Sequence, residues 1–372
     1  MNISVIGGGN LGSLIAANLS LVSDVTVTLW TRKPDKFIEK LLVVDKEKGT
    51  EYYSAEVIIT DQVKVAISNA DVIFCAVPSF AYETYVLQLV PYIKKAALLG
   101  FVPGSGGAEF LCRELLPNST VIFGLQRVPY ICRNIKYGEI CGCYSTRNML
   151  FAASIPLEAT KYICDLMKHL FKIPCTALHN FLELTLVPSN AILHTSRLYQ
   201  MFRLSDNYSY TYNPLFYYEW DNEASELLLS CDSELQNICQ SFGELNLSGI
   251  VSLKEYYGVN TPTQLTEKMK SISAFKDILS PMVERSSGKW EPDLQSRYFT
   301  EDFPYGLAVI KGFANIAKIN TPVIDDILQW YQKIIGEEYF SLSGQIGKDI
   351  DRCGAPQRYG FKQKSQIVSL YK

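Results

Sequence analysis

Histidine is scarce in this sequence: three residues in 372, His169, His179 and His194. Cysteine is not scarce, but none of the ten (Cys75, Cys112, Cys132, Cys141, Cys143, Cys164, Cys175, Cys231, Cys239, Cys353) forms a Cys-x-x-Cys pair. No Cys/His cluster therefore has zinc-ligand spacing, and no metal site is expected. Several cysteines lie inside apolar runs, as Cys75 does in 72–77, and read as small buried hydrophobes of a reducing compartment. An excess of either charge is missing too: 35 basic against 38 acidic residues leave a net charge of −3. That balance attracts neither nucleic acid nor an anionic membrane surface, and neither partner is expected. No apolar run reaches the ~18 residues that a membrane span needs. No basic stretch precedes an apolar one at the N-terminus, where Ile3, Val5 and Ile6 open a strand at once. This argues against a secretory signal and for a cytoplasmic protein.

What is present is the composition of a globular protein, 48% hydrophobic and 20% charged, in a chain too long for one ordinary core. Up to Ala177, strand-like and helix-like segments alternate, the pattern of a parallel sheet covered by helices. Strands are expected at 2–6, 25–30, 56–60, 71–76, 96–102, 121–125 and 172–177, with a helix over 11–21. Two further β-rich pieces, 139–144 and 150–154, read as a hairpin or as edge strands. From Phe181 onward the apolar spacing is helical, with candidate helices at 184–202, 222–242, 252–257, 261–269, 307–317 and 321–335. The expected fold class is α/β: a Rossmann dinucleotide-binding domain over 1–178, then a mostly α-helical substrate domain over 179–372. The tyrosine-rich stretch from Tyr199 to Tyr218 reads either as a surface loop packed by its own rings or as the lining of a polar-aromatic pocket.

Gly7-Gly8-Gly9-Asn10-Leu11-Gly12 matches G-x-G-x-x-G between an apolar strand and a helix, the context that gives this otherwise weak motif its meaning. Gly7 permits the tight turn, Gly9 the close approach of pyrophosphate, and Gly12 the packing of helix on strand. Free N–H groups at the helix start, around Asn10 and Leu11, face the phosphates. NAD sites usually carry Asp or Glu at the end of the second strand. Here Trp30-Thr31-Arg32-Lys33 stands there, with no carboxylate before Asp35. Thr31, Arg32 and Lys33 suit the 2′-phosphate of NADP, although a solvated basic turn reads the same way and NAD stays open. Val77-Pro78 and the turn 103–107 end strands at the edge where open parallel sheets bind ligands, and they also serve as ordinary strand-to-helix turns.

Hydride transfer to C=O or C=N needs a proton donor and a cation for a carboxylate. Asn190 and His194 share a helix face at i, i+4. Asp302 suits the role of orienting His194, and Arg297 that of gripping a substrate carboxylate bidentately. The structural alternatives are helix capping for Glu301 and Asp302, and a surface ion pair for Arg297.

These residues resemble the opine dehydrogenases of the octopine/nopaline type over nearly the whole chain. The resemblance rests on Gly7–Gly12, Gln126-Arg127-Val128-Pro129-Tyr130, the Asn190…His194 helix, and Arg297…Glu301-Asp302-x-Pro304-x-Gly306-Leu307. It implies a catalytic His194 working with Asp302, substrate binding by Arg297, and a supporting place for Asn190 and for Gln126. The implied reaction condenses an amino acid with a 2-oxo acid to an imine, which NADPH reduces to an N-(1-carboxyalkyl) amino acid. Where the family often has proline after its histidine, this chain has Thr195. Two alternatives remain open. One is a 2-oxo compound reductase resembling ketopantoate reductase or glycerol-3-phosphate dehydrogenase, which lean on a lysine; Lys254, Lys268 and Lys311 are present outside any convincing motif. The other is an NADP-binding sensor without turnover. A homodimer is the base-rate expectation for assembly.

Overall fold

The computed structural model describes residues 1–204 and 209–371. They divide into two compact units, one made of residues 1–185 with Tyr371 and the other of residues 186–370.

The first unit is built on an eight-stranded sheet. In chain order its strands are β1 (Asn2–Ile6), β2 (Thr26–Trp30), then, after β3 (Leu42–Asp45) and β4 (Thr50–Tyr53) of a second sheet, β5 (Ile58–Thr60), β6 (Val72–Cys75), β7 (Leu98–Phe101) and β8 (Val121–Leu125). β9 (Tyr130–Lys136) and β10 (Ile140–Thr146) return to the second sheet, and β11 (Leu150–Ile155) and β12 (Cys175–Ala177) finish the first. The spatial order is β12-β11-β8-β7-β6-β1-β2-β5, parallel except where β11 runs antiparallel to β8. Its helices are α1 (Asn10–Leu19), α2 (Val63–Ile67), α3 (Tyr82–Leu89), α4 (Ala108–Leu115), α5 (Thr160–Phe171) and α6 (Leu182–Thr185). Central strands read as unbroken apolar runs because both faces are covered: all four residues of β6 are buried. Val5, Leu29, Phe74 and Phe123 meet Leu14, Ile15 and Met167 in one core cluster.

The second sheet, in the order β4-β3-β10-β9, was not anticipated beyond β10. β9 alternates in exposure and mixes Arg133, Asn134 and Lys136 with its apolar residues, so no apolar run marks it. The hairpin-or-edge reading of 139–144 and 150–154 is corrected here. β10 lies between β3 and β9, and β11 between β8 and β12, so the two are interior strands of different sheets. The physical reason is that each finds longer pairing elsewhere: β10 pairs along β9 and β11 along β8, and Arg147 N–H is spent on Pro129 O (2.9 Å) in the crossing between them.

The second unit is helical: α7 (Asn190–Phe202), α8 (Asn222–Ser241), α9 (Leu253–Tyr257), α10 (Pro262–Ser271), α11 (Arg297–Thr300), α12 (Ala308–Ala317), α13 (Pro322–Ile335) and α14 (Lys364–Tyr371). A short hairpin of β13 (Met282–Glu284) and β14 (Trp290–Pro292) interrupts them. Starts are capped as the sequence dictates: Asp221 accepts from Ala224 N–H, and Thr261 from Gln264 N–H with Pro262 behind it. Buried Glu234 accepts from Val323 N–H (2.8 Å) and Ile324 N–H (3.0 Å), holding the start of α13 against α8. The single helix expected over 184–202 is two, α6 and α7. Pro188 lies in the break because its ring cannot donate and pushes the preceding residue out of the helical region. Eight of the ten cysteines are buried, and Cys132 and Cys175 partly so; all ten are free thiols. Among the described residues no helix is long and apolar enough to cross a membrane.

Candidate functional site

In the first unit the glycine loop links β1 to α1. Gly7 has φ +106°, and a Cβ there would lie 2.7 Å from Val77 Cγ1 and 2.9 Å from Ala76 O. A Cβ on Gly12 would lie 1.8 Å from Gly7 O, so α1 and the loop touch backbone to backbone. Gly9 differs: nothing lies within 4 Å of where its Cβ would be. It is the N-cap of α1, makes no side-chain cap, and is followed by no acidic residue in the first turn. The loop thus has one tight side, one packed side and one open side beneath a helix start. Asn10 spends its side-chain oxygen on Asn134 N–H of β9 (2.8 Å), which leaves its backbone and its amide N–H groups to face a ligand. Leu11 packs partly into the core.

Thr31 is buried with its hydroxyl toward Gly8, where a Cβ would meet it at 2.6 Å. Arg32 and Lys33 are exposed. Val77 is buried and Pro78, half-buried, opens the turn before α3. Gln126, at the end of β8, donates from its amide to Glu183 O (3.1 Å). Glu183 is itself buried; its carboxylate accepts from His179 N–H (2.7 Å) and meets the His179 ring at 3.3 Å. His179 therefore braces the start of α6, and His169 is exposed in the last turn of α5.

His194, on α7 of the second unit, is the third histidine and the buried one, its side chain 8% exposed. Its Nδ1 lies 2.7 Å from Asp302 Oδ2 and its Nε2 2.8 Å from the Tyr217 hydroxyl. Tyr298 stacks on the ring at 4.2 Å between centroids, and Phe216 meets it edge-on at 5.6 Å. Asp302 reaches it because residues 303–307 form a wide π-type turn, with Leu307 N–H bonded to Asp302 O (2.8 Å). Gly306 lets that turn press on α7, since a Cβ there would lie 2.8 Å from Ala191 Cβ. The capping alternative for Asp302 does not hold: its side chain makes no cap bond and is spent on His194. Thr195, standing where the family often has proline, donates its hydroxyl to Ala191 O (2.7 Å), and α7 runs on without a break.

Arg297 opens α11, is 67% exposed, and donates from Nε (2.8 Å) and Nη2 (2.6 Å) to Glu301. The surface ion pair, the structural alternative for Arg297, is therefore present. Asn190 is exposed at the start of α7, one turn before His194. Lys311, the buried lysine of the three candidates, is bound to Asp325 (2.5 Å) and Thr321 (3.1 Å), while Lys254 and Lys268 are exposed.

Tyr217 is the residue that sequence reasoning missed. It lies in the tyrosine-rich stretch, of which Tyr208 falls outside the described residues; Tyr212 and Tyr218 are exposed, whereas Tyr217 is buried against Phe275 (4.2 Å between centroids). Neither periodicity nor spacing separates Tyr217 from its neighbours; the run of Leu215, Phe216 and Tyr217 ahead of Trp220 is the one hint of burial. Burial pushes its phenol well above the ordinary tyrosine range. Protonated, it can donate to Nε2 when Nδ1–H is given to Asp302, the tautomer that a carboxylate on Nδ1 favours.

Comparison with known proteins follows the same division. Residues 177–335 match the family described as NAD/NADP octopine/nopaline dehydrogenase, alpha-helical domain, and residues 3–130 match the ketopantoate reductase PanE/ApbA family. Tauropine dehydrogenase of Arabella iricolor is 26% identical over 98% of this chain and 99% of its own length. Octopine dehydrogenase of Pecten maximus is 28% identical over 99% of each chain. Among solved structures, an octopine dehydrogenase complex with NADH and L-arginine is 27% identical, covers 99% of this chain and 98% of its own, and superposes with a TM-score of 0.88.

Proposed function

We propose, from the premise that this chain belongs to the opine dehydrogenase family, that it reductively condenses an amino acid with a 2-oxo acid, using NADPH in preference to NADH. The observation that carries this reading is the 2.7 Å contact of His194 with Asp302, two residues 108 apart in sequence that meet in a buried, aromatic-walled site.

The amine and the carbonyl lose water to give an imine, and the product is an N-(1-carboxyalkyl) amino acid. A bound nicotinamide dinucleotide supplies the hydride. The residues present fit such a group: the open face at Gly9, the packed Gly7 and Gly12, and the uncapped start of α1 at Asn10 and Leu11 suit its pyrophosphate. Thr31, Arg32 and Lys33 border its adenosine end, and Val77 and Pro78 the other strand-end turn. His194 exchanges the proton on the carbonyl or carbinolamine oxygen, and Asp302 holds the ring and stabilises its cation. Arg297 exchanges Glu301 for a substrate carboxylate. Asn190 and Gln126 position substrate.

NADPH oxidation followed by absorbance, with pooled amino acids and pooled 2-oxo acids supplied separately and together, tests the reaction. Oxidation is expected only with both pools. Oxidation with 2-oxo acids alone would replace this reading by simple keto-acid reduction, which the match of 3–130 to ketopantoate reductase keeps in view. Among the described residues that alternative lacks a free buried lysine, since Lys311 is tied to Asp325. NADP preference rests on Arg32 and Lys33. Replacing each by alanine should lower the NADPH/NADH ratio of kcat/KM about tenfold, the worth of one charge-assisted hydrogen bond. An unchanged ratio in the double variant would remove the basis for the preference.

A further inference from the structure

We propose that Phe37 and Tyr137 form an aromatic wall against which the adenine of the bound dinucleotide packs, with Tyr137 carried to the glycine loop by the second sheet. The inference rests on the reading of Gly7 to Gly12 as the cofactor's seat. A Cβ on Gly8, inside that loop, would lie 2.8 Å from Phe37 Cζ and 2.6 Å from Thr31 Oγ1. The tip of the Phe37 ring and the Thr31 hydroxyl therefore come to the same point over the loop. Thr31 directly follows β2, and the adenosine half of a dinucleotide leaves such a loop toward the end of that strand. Phe37 stands beside this path. Exposed Arg32 and Lys33 belong to the same stretch. Rings beside cations suit a flat base that carries phosphate.

Tyr137 is brought here by the backbone. It lies in the turn between β9 and β10, and Gly138 follows it at φ +75°. A Cβ on Gly138 would collide with Lys36 O and stand 3.1 Å from Phe37 Cα, so the turn lies backbone against backbone on the segment after β2. Ile38 N–H donates to Gly138 O (3.0 Å) and fixes the contact. The Tyr137 ring then meets Phe37 edge-on, with 5.2 Å between centroids and 73° between planes. Core packing accounts for Phe37 in part, since it is half-buried and touches the apolar cluster of the first unit. It does not account for Tyr137, which stays 43% exposed. In an edge-to-face pair one ring keeps both faces free of the other, and a purine stacks on such a face. This contact is indifferent to the 2′-phosphate, so it adds to the affinity for both nucleotides and not to the choice between them.

Isothermal titration of the full chain with NADPH, NADH, ADP-ribose and reduced nicotinamide mononucleotide tests the wall without any turnover. Tyr137→Ala is expected to weaken binding of the first three about tenfold, within the range of base–aromatic stacking, and to leave the ratio of NADPH to NADH affinity unchanged. The mononucleotide has no adenine and should bind this variant as it binds wild type. Tyr137→Phe keeps the ring and should stay within about threefold of wild type for all four ligands. Because Tyr137 is exposed, Tyr137→Ala should melt as wild type does. Phe37→Leu keeps an apolar contact with the core but removes the other ring, and the same loss of ADP-ribose affinity is expected. ADP-ribose affinity within about twofold of wild type in both Tyr137→Ala and Phe37→Leu overturns the wall. An equal loss for the mononucleotide shows that the loop itself has shifted, and overturns it too. Wild-type protein that binds neither NADPH nor NADH overturns the cofactor's seat, and the wall with it.

Discussion

Replacing His194 by alanine is expected to lower kcat by about 10²–10⁴-fold, the range that a positioned acid–base group supplies. Nucleotide binding should be unchanged, because the glycine loop belongs to the first unit and His194 to the second. The size of the loss follows from what surrounds the ring. His194 is held on one nitrogen by a carboxylate and on the other by a phenol, and no other histidine can substitute. His179 is engaged by Glu183 and His169 is exposed on α5. Asp302→Asn isolates the second half of the pair. An amide oxygen still accepts from Nδ1–H, so the ring stays in place, but the charge that stabilises the histidinium is gone. A loss of tenfold or more in kcat is expected, since hydrogen bonds to charged groups exceed neutral ones by about 1–1.5 kcal/mol. Steady-state kinetics on both variants, with a melting curve to verify folding, read the result. Turnover within threefold of wild type for His194→Ala would remove this residue from the chemistry.

The parts of the molecule legible in the sequence are those in which one segment suffices to make the signal. β6 and β8 are buried on both faces and read as apolar runs; α8 and α13 carry helical apolar spacing with cap residues ahead of them. Beyond β10 the second sheet was illegible because β3 and β4 are only four residues long, β9 is largely exposed and carries no apolar run, and pairing β3 with β10 across nearly 100 residues leaves no local trace. The site divides in the same way. Asn190 and His194 could be placed on one helix face by spacing alone, and the Arg297–Leu307 segment could be singled out by its charges before a helix. That Asp302 meets His194 depends on the π-type turn and on Gly306 against Ala191, neither of which has a periodicity. Tyr217 was hidden among tyrosines of the same composition. What distinguishes it is the packing of Phe275, some 58 residues further along the chain, against its ring.

Gly12→Ala and Gly9→Ala are expected to fail in different ways, and the contrast locates the nucleotide. On Gly12 a methyl carbon would sit 1.8 Å from Gly7 O and 3.0 Å from Gly7 C. Both are backbone atoms and neither can rotate aside, so α1 must lift from the loop. Overpacking of this kind costs about 1–3 kcal/mol or more, and the melting temperature should fall before any ligand is added. The displaced helix start should also lose most of its nucleotide affinity. At a concentration of 100 times the wild-type Kd, the about 2.7 kcal/mol by which NADPH stabilises the wild type would largely vanish. On Gly9 the methyl meets nothing within 4 Å, and the residue's φ of −82° is open to any side chain. Gly9→Ala should melt as the wild type does when nucleotide is absent. Its methyl would stand on the open side of the loop, where pyrophosphate is expected to approach, so NADPH should shift its melting temperature far less than it shifts that of wild type. Melting curves of the three proteins with and without NADPH are enough to decide. If Gly9→Ala keeps the full nucleotide shift, the open face of the loop is not where the pyrophosphate sits, and the assignment of Gly7 to Gly12 as the cofactor's seat fails with it.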